Sequence, residues 1–218
     1  MSFTPILFDL DGTLADTRPG IALAVGRTLA AFGLPPLHRA RIDAFTGRGV
    51  EALVQGVLGE VGAPPSLLDR ASAVYRGHYA QTCGAGAALY PGIAGLLRRL
   101  PPPLAVLSNK PREYTLQVLQ ALKVAEAFAA VVGGDEPGAR LKPDPWPVAE
   151  ALRRLGPPAP RPLVVGDTEN DVKAARAAGV ESCAVTWGYG TAAAAASADF
   201  RADTVAELEH LLLGRPES

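Results

Sequence analysis

The strongest constraint on this chain is a set of short apolar runs that end abruptly on polar residues. Positions 5–10 form an apolar run interrupted and closed by Asp9 and Asp11. Leu104-Ala105-Val106-Leu107 runs into Ser108-Asn109, Ala130-Val131-Val132 into Gly133-Gly134-Asp135, and Leu163-Val164-Val165 into Gly166-Asp167. Positions 182–186 read as a fifth run. A strand covered on both faces has no side to show to water, so it reads as continuously apolar rather than alternating. Five such runs predict a parallel sheet.

Helical patterns fill the intervals. Ile93, Leu96, Leu97 and Leu100 keep helical spacing across positions 92–100. Pro111 suits the first turn of a helix reaching about position 122. Positions 145–155, 170–178 (stopped by Gly179) and 204–213 read the same way. Strand and helix in alternation predict an α/β fold, a Rossmann-like parallel sheet with helices on both faces.

One stretch breaks the alternation. Positions 21–32, 50–58 and 67–79 look helical, with Gly33-Leu34-Pro35-Pro36 and Gly62-Ala63-Pro64-Pro65 between them. The expected division is a catalytic core of residues 1–15 and 85–218, with a small helical cap domain of residues 16–84 inserted after the first strand.

Bulk properties remove several function classes. Lys and Arg number 21 against 22 Asp and Glu, a net charge of -1, which leaves no electrostatic footprint for nucleic acid or an anionic membrane. An anion site must then be local. The amino-terminal segment lacks a basic region followed by a long apolar run, and no stretch is apolar enough to span a bilayer. The expected setting is cytoplasmic, with no nucleic-acid or membrane partner. Cys83 and Cys183 are far apart in sequence and read as buried thiols in a reducing compartment.

The run ends carry the chemistry. In open parallel sheets, ligands bind outside the carboxyl ends of the strands. Asp9, Asp11, Ser108, Asn109 and Asp167 all fall there, and Lys142 stands just before a predicted helix. Asp11-Gly12 alone would be an ordinary turn pair. That reading leaves Asp9 unexplained, because an ionised carboxylate inside an apolar strand is costly without a cation or hydrogen bonds. Clustered carboxylates with few nitrogen or sulfur candidates select a hard cation, most simply Mg²⁺. Lys142 and the Ser108 hydroxyl then suit phosphoryl oxygens. Asp171 either faces the same cleft or is an exposed helix acid.

These pieces, in this order, resemble the haloacid-dehalogenase-like superfamily. Asp9-Leu10-Asp11-Gly12-Thr13 resembles its first signature, Ser108 its second, Lys142 its third, and Gly166-Asp167-Thr168-Glu169-Asn170-Asp171 its acidic fourth. The resemblance implies that Asp9 attacks phosphorus and that Asp11 serves as acid and then base. It places Thr13, Ser108, Asn109 (through its backbone N–H) and Lys142 on the phosphoryl group. It gives Mg²⁺ to Asp9, Asp167 and the carbonyl of Asp11, with Asp171 in support.

Asp11 argues against the dehalogenase branch, and Gly12-Thr13 departs from the Gly-Val of sugar phosphomutases. The lysines at 110, 123, 142 and 173 all lie outside the presumed cap, unlike phosphonate hydrolases. Phe45-Thr46-Gly47-Arg48-Gly49, Tyr90-Pro91-Gly92, Ser108-Asn109-Lys110-Pro111 and Trp187-Gly188-Tyr189-Gly190 are similar to the phosphoglycolate phosphatase family. That likeness implies a small phosphorylated metabolite as substrate, 2-phosphoglycolate cleaved to glycolate and phosphate, with Arg48 as a candidate for its carboxylate, in a monomer or homodimer. The alternatives are a phosphatase for another small phosphorylated metabolite or pyrophosphate, a sugar phosphomutase, or, in a different class, a phosphoacceptor signalling domain or a non-catalytic binding module. Neither a P-loop nor a Gly-x-Ser-x-Gly elbow is present, and His38, His78 and His210 stand in no motif.

Overall fold

The structure, a computed structural model, describes residues 3–157 and 159–214; positions 215–218, counted with the core from sequence, lie outside them. In chain order the elements are β1 (Ile6–Phe8), β2 (Ala15–Asp16), α1 (Arg18–Ala31), α2 (Arg39–Asp43), α3 (Val50–Glu60), α4 (Leu68–Thr82) and β3 (Ala88–Leu89). Then come α5 (Ile93–Arg99), β4 (Leu104–Leu107), α6 (Arg112–Ala121), β5 (Ala130–Val132), α7 (Trp146–Leu155) and β6 (Leu163–Gly166). The chain closes with α8 (Glu169–Ala177), β7 (Glu181–Val185), α9 (Ala192–Ser197), β8 (Phe200–Ala202) and α10 (Val205–Leu213). Short 3₁₀ turns stand at Pro65–Leu67 and Ala125–Ala127. The chain forms two compact units, one of residues 1–16 and 88–218, the other of residues 17–87.

The first unit is built on a six-stranded sheet of order β5-β4-β1-β6-β7-β8, parallel throughout. The expected α/β architecture is thereby present. β1 lies in the middle, with Leu7 opposite Ala105 on one side and Val164 on the other. Successive strand side chains point to opposite faces, and both faces are covered. On one, Leu7, Ala105, Leu107 and Val164 meet Val148 and Ala151 of α7 and Ala174 and Ala175 of α8. The other carries Ile6, Phe8, Leu104, Val106 and Val165, all buried; Phe8 meets the ring of Phe128 edge-on at 6.4 Å. Double coverage is why these strands read as plain apolar runs.

The order also sets the site. The chain moves from β1 to β4 on one side and reaches β6 on the other, so a crevice opens at the carboxyl end of β1, where ligands settle in open α/β sheets. Several elements were not foreseen. β8 is a sixth strand, α2 and α9 are extra helices, and β2 and β3 form a separate antiparallel pair with Asp16 opposite Ala88. The fifth run begins one residue earlier than expected, at Glu181. Cys83 and Cys183 are free and buried, and burial pushes the Cys183 thiol up to about 12.

The second unit is helical. α4 packs on α1 and α3. At Gly20 a Cβ would strike the carbonyl of Thr82, and the Thr82 hydroxyl donates to the carbonyl of Gly20 at 3.0 Å. Glycine is what allows α1 and the end of α4 this close an approach. Among the described residues no helix is long and apolar enough to cross a membrane.

Leu7 is fully buried in the central strand. Leu7→Ala is expected to destabilise the sheet unit by about 2–5 kcal/mol through lost burial and a residual cavity. A lower urea midpoint at unchanged secondary structure is the reading; an unshifted midpoint would contradict the placement.

Candidate functional site

Asp9 follows β1 directly, and its N–H donates to the carbonyl of Val165 at 2.9 Å, so the ladder to β6 extends one residue past the strand. Beyond it the chain tightens at once. Leu14 and Ala15 donate to the carbonyl of Leu10, and Gly12 donates to that of Ala15. Gly12 has φ +94, and a Cβ there would collide with the Asp167 carboxylate. The Asp-Gly pair is thus a turn, as any such pair can be, but this turn is shaped to admit a second carboxylate.

The centre of the site is the Lys142 ammonium. It donates to Asp9 Oδ1 at 2.7 Å, to Asp171 Oδ1 at 2.6 Å and to the carbonyl of Leu107 at 3.1 Å. All three side chains are buried. Burial works against the lysine charge, but Asp171 and Asp9 outweigh it and hold its pKa above the ordinary value. Burial holds the Asp9 carboxyl well above the usual carboxylate range; Lys142 opposes this, and the nearby Asp171, Asp167 and Asp11 add to it.

Asp171 is held by its own helix end. It is the third residue of α8, and its Oδ2 accepts from the Thr168 N–H at 3.0 Å and the Thr168 hydroxyl at 2.6 Å, completing a capping box. Of the two readings the sequence left open, Asp171 takes the inward one. Asp167 lies at the end of β6 and is also buried. Its Oδ1 accepts from the Thr13 hydroxyl at 2.9 Å, and its Oδ2 from the N–H groups of Tyr189 and Gly190 at 2.6 and 3.1 Å. Burial and Asp171 push it up to about 6 despite these bonds.

Asn109 has a side-chain task beside the expected one. Its backbone N–H was expected on phosphate. Its Nδ2 donates to the Lys142 carbonyl at 3.1 Å, and the Lys142 N–H donates to its Oδ1 at 2.7 Å. One planar amide therefore fastens the lysine's main chain to the end of β4. Ser108 is buried beside it, and its Oγ accepts from the Lys110 N–H at 3.2 Å. Thr13, expected among the phosphate-binding residues, donates its hydroxyl to Asp167.

Two contributions were missed from sequence. Lys110 is buried, and its ammonium pairs with Asp11 Oδ1. The available signal was a lysine three residues past an apolar strand end and directly before a proline. The second is the segment after β7: besides the N–H groups on Asp167, the Trp187 ring N–H donates to the carbonyl of Thr13 at 3.1 Å and the Tyr189 hydroxyl to Asp16 at 2.9 Å. Arg48 stands exposed between α2 and α3 in the helical unit.

The donor chemistry fits a hard divalent cation. Asp9, Asp167 and Asp171 each offer an oxygen, all within 4.8 Å of one another, and among the described residues no histidine or cysteine joins the group. Asp11 turns its carboxylate to Lys110 instead. Four buried carboxylates (Asp9, Asp11, Asp167, Asp171) against two buried ammoniums (Lys110, Lys142) leave a formal -2, the charge one divalent cation cancels.

A profile of the haloacid dehalogenase-like hydrolases matches residues 6–185. The chain belongs to the haloacid dehalogenase-like hydrolase family. The phosphoglycolate phosphatase encoded on a plasmid of Cupriavidus necator is 40% identical over 215 residues, covering 96% of this chain and 93% of the relative. A haloacid dehalogenase-like family hydrolase from Streptococcus pneumoniae superposes with a TM-score of 0.80 at 28% identity, covering 93% of this chain and 95% of the other. CbbY from Rhodobacter sphaeroides, solved in complex with xylulose-(1,5)bisphosphate, gives 0.78 at 28% identity, with the same coverages. As a member of this hydrolase family with a phosphatase relative covering 96% of its length, the chain is a phosphatase.

Removing Lys142 would leave Asp9 and Asp171 as uncompensated buried carboxylates. In chelator-treated protein at pH 8, Lys142→Met is expected to cost about 3–5 kcal/mol of stability. The pH dependence follows from proton linkage. Without its ammonium partner, Asp9 has a folded-state pKa still further above the unfolded one, so the folded state binds protons more strongly. The deficit is then smallest near pH 4, about the unfolded carboxylate value, and grows as pH rises through the folded pKa. Urea titrations at pH 5 and pH 8 read this, and a deficit larger at pH 5 would overturn it.

Proposed function

We propose that this protein is a Mg²⁺-dependent phosphomonoesterase that hydrolyses 2-phosphoglycolate through an aspartyl phosphate on Asp9. The observation that carries the mechanism is the Lys142 ammonium fixed between Asp9 and Asp171 at the carboxyl end of the central strand. Support for the substrate is the 40% identity, over nearly the whole of both chains, to a phosphoglycolate phosphatase.

Lys142 holds one oxygen of Asp9 and fixes the orientation of the nucleophile. The phosphorus gains a bond to an Asp9 oxygen as the ester P–O bond breaks, and Asp11 gives its proton to the departing glycolate oxygen. Water then attacks the aspartyl phosphate, passes its proton to Asp11, and releases inorganic phosphate and free Asp9. Ser108 accepts the Lys110 N–H, which leaves its own hydroxyl hydrogen to donate to a phosphoryl oxygen. The Asn109 backbone N–H would donate to another, while its side chain keeps Lys142 in register. The Thr13 hydroxyl steadies Asp167.

Asp9, Asp167 and the carbonyl of Asp11 would hold Mg²⁺, with Asp171 steadying Lys142. When bound, the ion offsets the charge that gathers on the phosphoryl oxygens and the carboxylates. The helical unit, residues 17–87, is read as the cap, and Arg48 as a cation that helps select the substrate. Charge placement of this kind is most of what phosphoryl transfer requires.

Three measurements test this. Asp9→Asn is expected to abolish phosphate release from 2-phosphoglycolate with an unchanged thermal melt; normal Mg²⁺-dependent turnover by that variant would sink the mechanism. Chelation of divalent cations is expected to stop turnover, and Mg²⁺ to restore it. Arg48→Ala is expected to lower kcat/KM for 2-phosphoglycolate by about tenfold or more and to leave that for p-nitrophenyl phosphate within about a factor of two; equal losses on both would remove Arg48 from selection.

A further inference from the structure

The site holds two buried ammoniums, and they serve different carboxylates. Lys142 is bonded to Asp9 and Asp171, while Lys110 is paired with Asp11. Their side chains are only 4% and 5% exposed, so neither is a surface charge that happens to reach inward. Burying an ammonium is costly unless it is compensated. Lys142 has an evident task beside the nucleophile, whereas recognition of a phosphoryl group leaves none for Lys110.

Its position suggests one. Asp11 is the group read here as proton donor to the leaving oxygen, so the atoms around it face the part of the ester beyond phosphorus. Lys110 sits on that carboxylate, two residues past Ser108 on the same strand end, and its N–H is bonded to the Ser108 hydroxyl. Its carbonyl accepts from the Gly134 N–H at 2.9 Å, so the backbone that carries it is tied to the end of β5. The ammonium is therefore held on the leaving-group side of the site. A lysine ammonium carries three donors and can hold Asp11 and a second anion together.

We propose that Lys110 is a specificity-determining residue that binds a carboxylate carried by the leaving group, so that the site selects small phosphomonoesters whose ester carbon bears an adjacent carboxylate. This rests on the assignment of Asp11 to the leaving-group side, and it narrows the substrate class without depending on 2-phosphoglycolate itself. The contact lies wholly within the sheet unit, whereas Arg48 belongs to the helical one.

The experiment uses two pairs of esters that differ only by a carboxylate in place of a methyl group: 2-phosphoglycolate with ethyl phosphate, and 2-phospholactate with isopropyl phosphate. The wild-type protein is expected to prefer the carboxylated member of a pair by at least about tenfold in kcat/KM, as one charge-assisted hydrogen bond allows. In Lys110→Met that preference is expected to fall to about twofold or less, chiefly through a higher KM for the carboxylated ester. Lys110→Arg keeps the charge and is expected to restore part of it. A merely structural partner of Asp11 would instead lower both members of a pair by the same factor, leaving the ratio intact, and that result overturns the proposal. The wild-type ratios do not depend on how the variants fold, and the absence of a carboxylate preference in both pairs overturns it as well. Turnover of 2-phospholactate but not 2-phosphoglycolate, with the ratio still dependent on Lys110, would refute the proposed substrate and leave the role of Lys110 standing.

Discussion

One buried ammonium organises this site. Lys142 meets Asp9, Asp171 and the carbonyl of Leu107, so three elements (β1, α8 and β4) converge on a single nitrogen. Desolvation alone would strip its charge and protonate the carboxylates around it. Ion pairing reverses that for the lysine, while Asp9 still sits well above the usual carboxylate range. Protein charge alone does not balance the site, and the remaining deficit matches a divalent cation. Phosphoryl chemistry has the same need, since negative charge must be gathered and held without solvent to help. The surrounding bonds keep the ammonium from wandering: the Asn109 amide fixes its main chain, and the Thr168 capping box fixes Asp171.

The region around Asp167 obeys a second constraint, which is space. A side chain at Gly12 would overlap its carboxylate, and the segment after β7 closes on it with two N–H groups. A carboxylate so enclosed keeps one orientation, with an oxygen within 4.8 Å of those of Asp9 and Asp171. Trp187 and Tyr189 extend the same grip to Thr13 and Asp16, so the segment that holds Asp167 also braces the chain as it leaves the sheet.

Much of this was legible in the sequence, for identifiable reasons. Central strands buried on both faces write themselves as apolar runs, and in a parallel sheet their polar endings mark one edge. Asp9, Ser108 and Asp167 were found that way. β8 escaped because an edge strand is only partly covered: Phe200 is half-buried, Arg201 exposed and Ala202 buried, which gives no continuous run. β2 and β3, at two residues each, are too short to carry a pattern. The side-chain partners were invisible for another reason. Asn109 bonds a residue 33 positions away and Lys110 one 99 away, and nothing local in either sequence neighbourhood specifies that meeting. Motif spacing located these residues, but only the folded chain assigns their side chains.

The small antiparallel pair of β2 and β3 has a consequence for the history and engineering of such a chain. Asp16 and Ala88 face each other across it, so the polypeptide departs from the sheet unit and comes back at neighbouring points. Directly opposed residues of an antiparallel pair lie about 5 Å apart at their Cα atoms. Everything between them is spliced in at a single doorway whose two posts are already joined. The closure entropy of a long insertion is met by that join and rises only slowly with the number of residues inserted. Exchange of the whole intervening segment for one of different length or architecture would therefore leave the register of the six strands untouched. The doorway fixes where a new module attaches, and the strand ends keep the geometry they had.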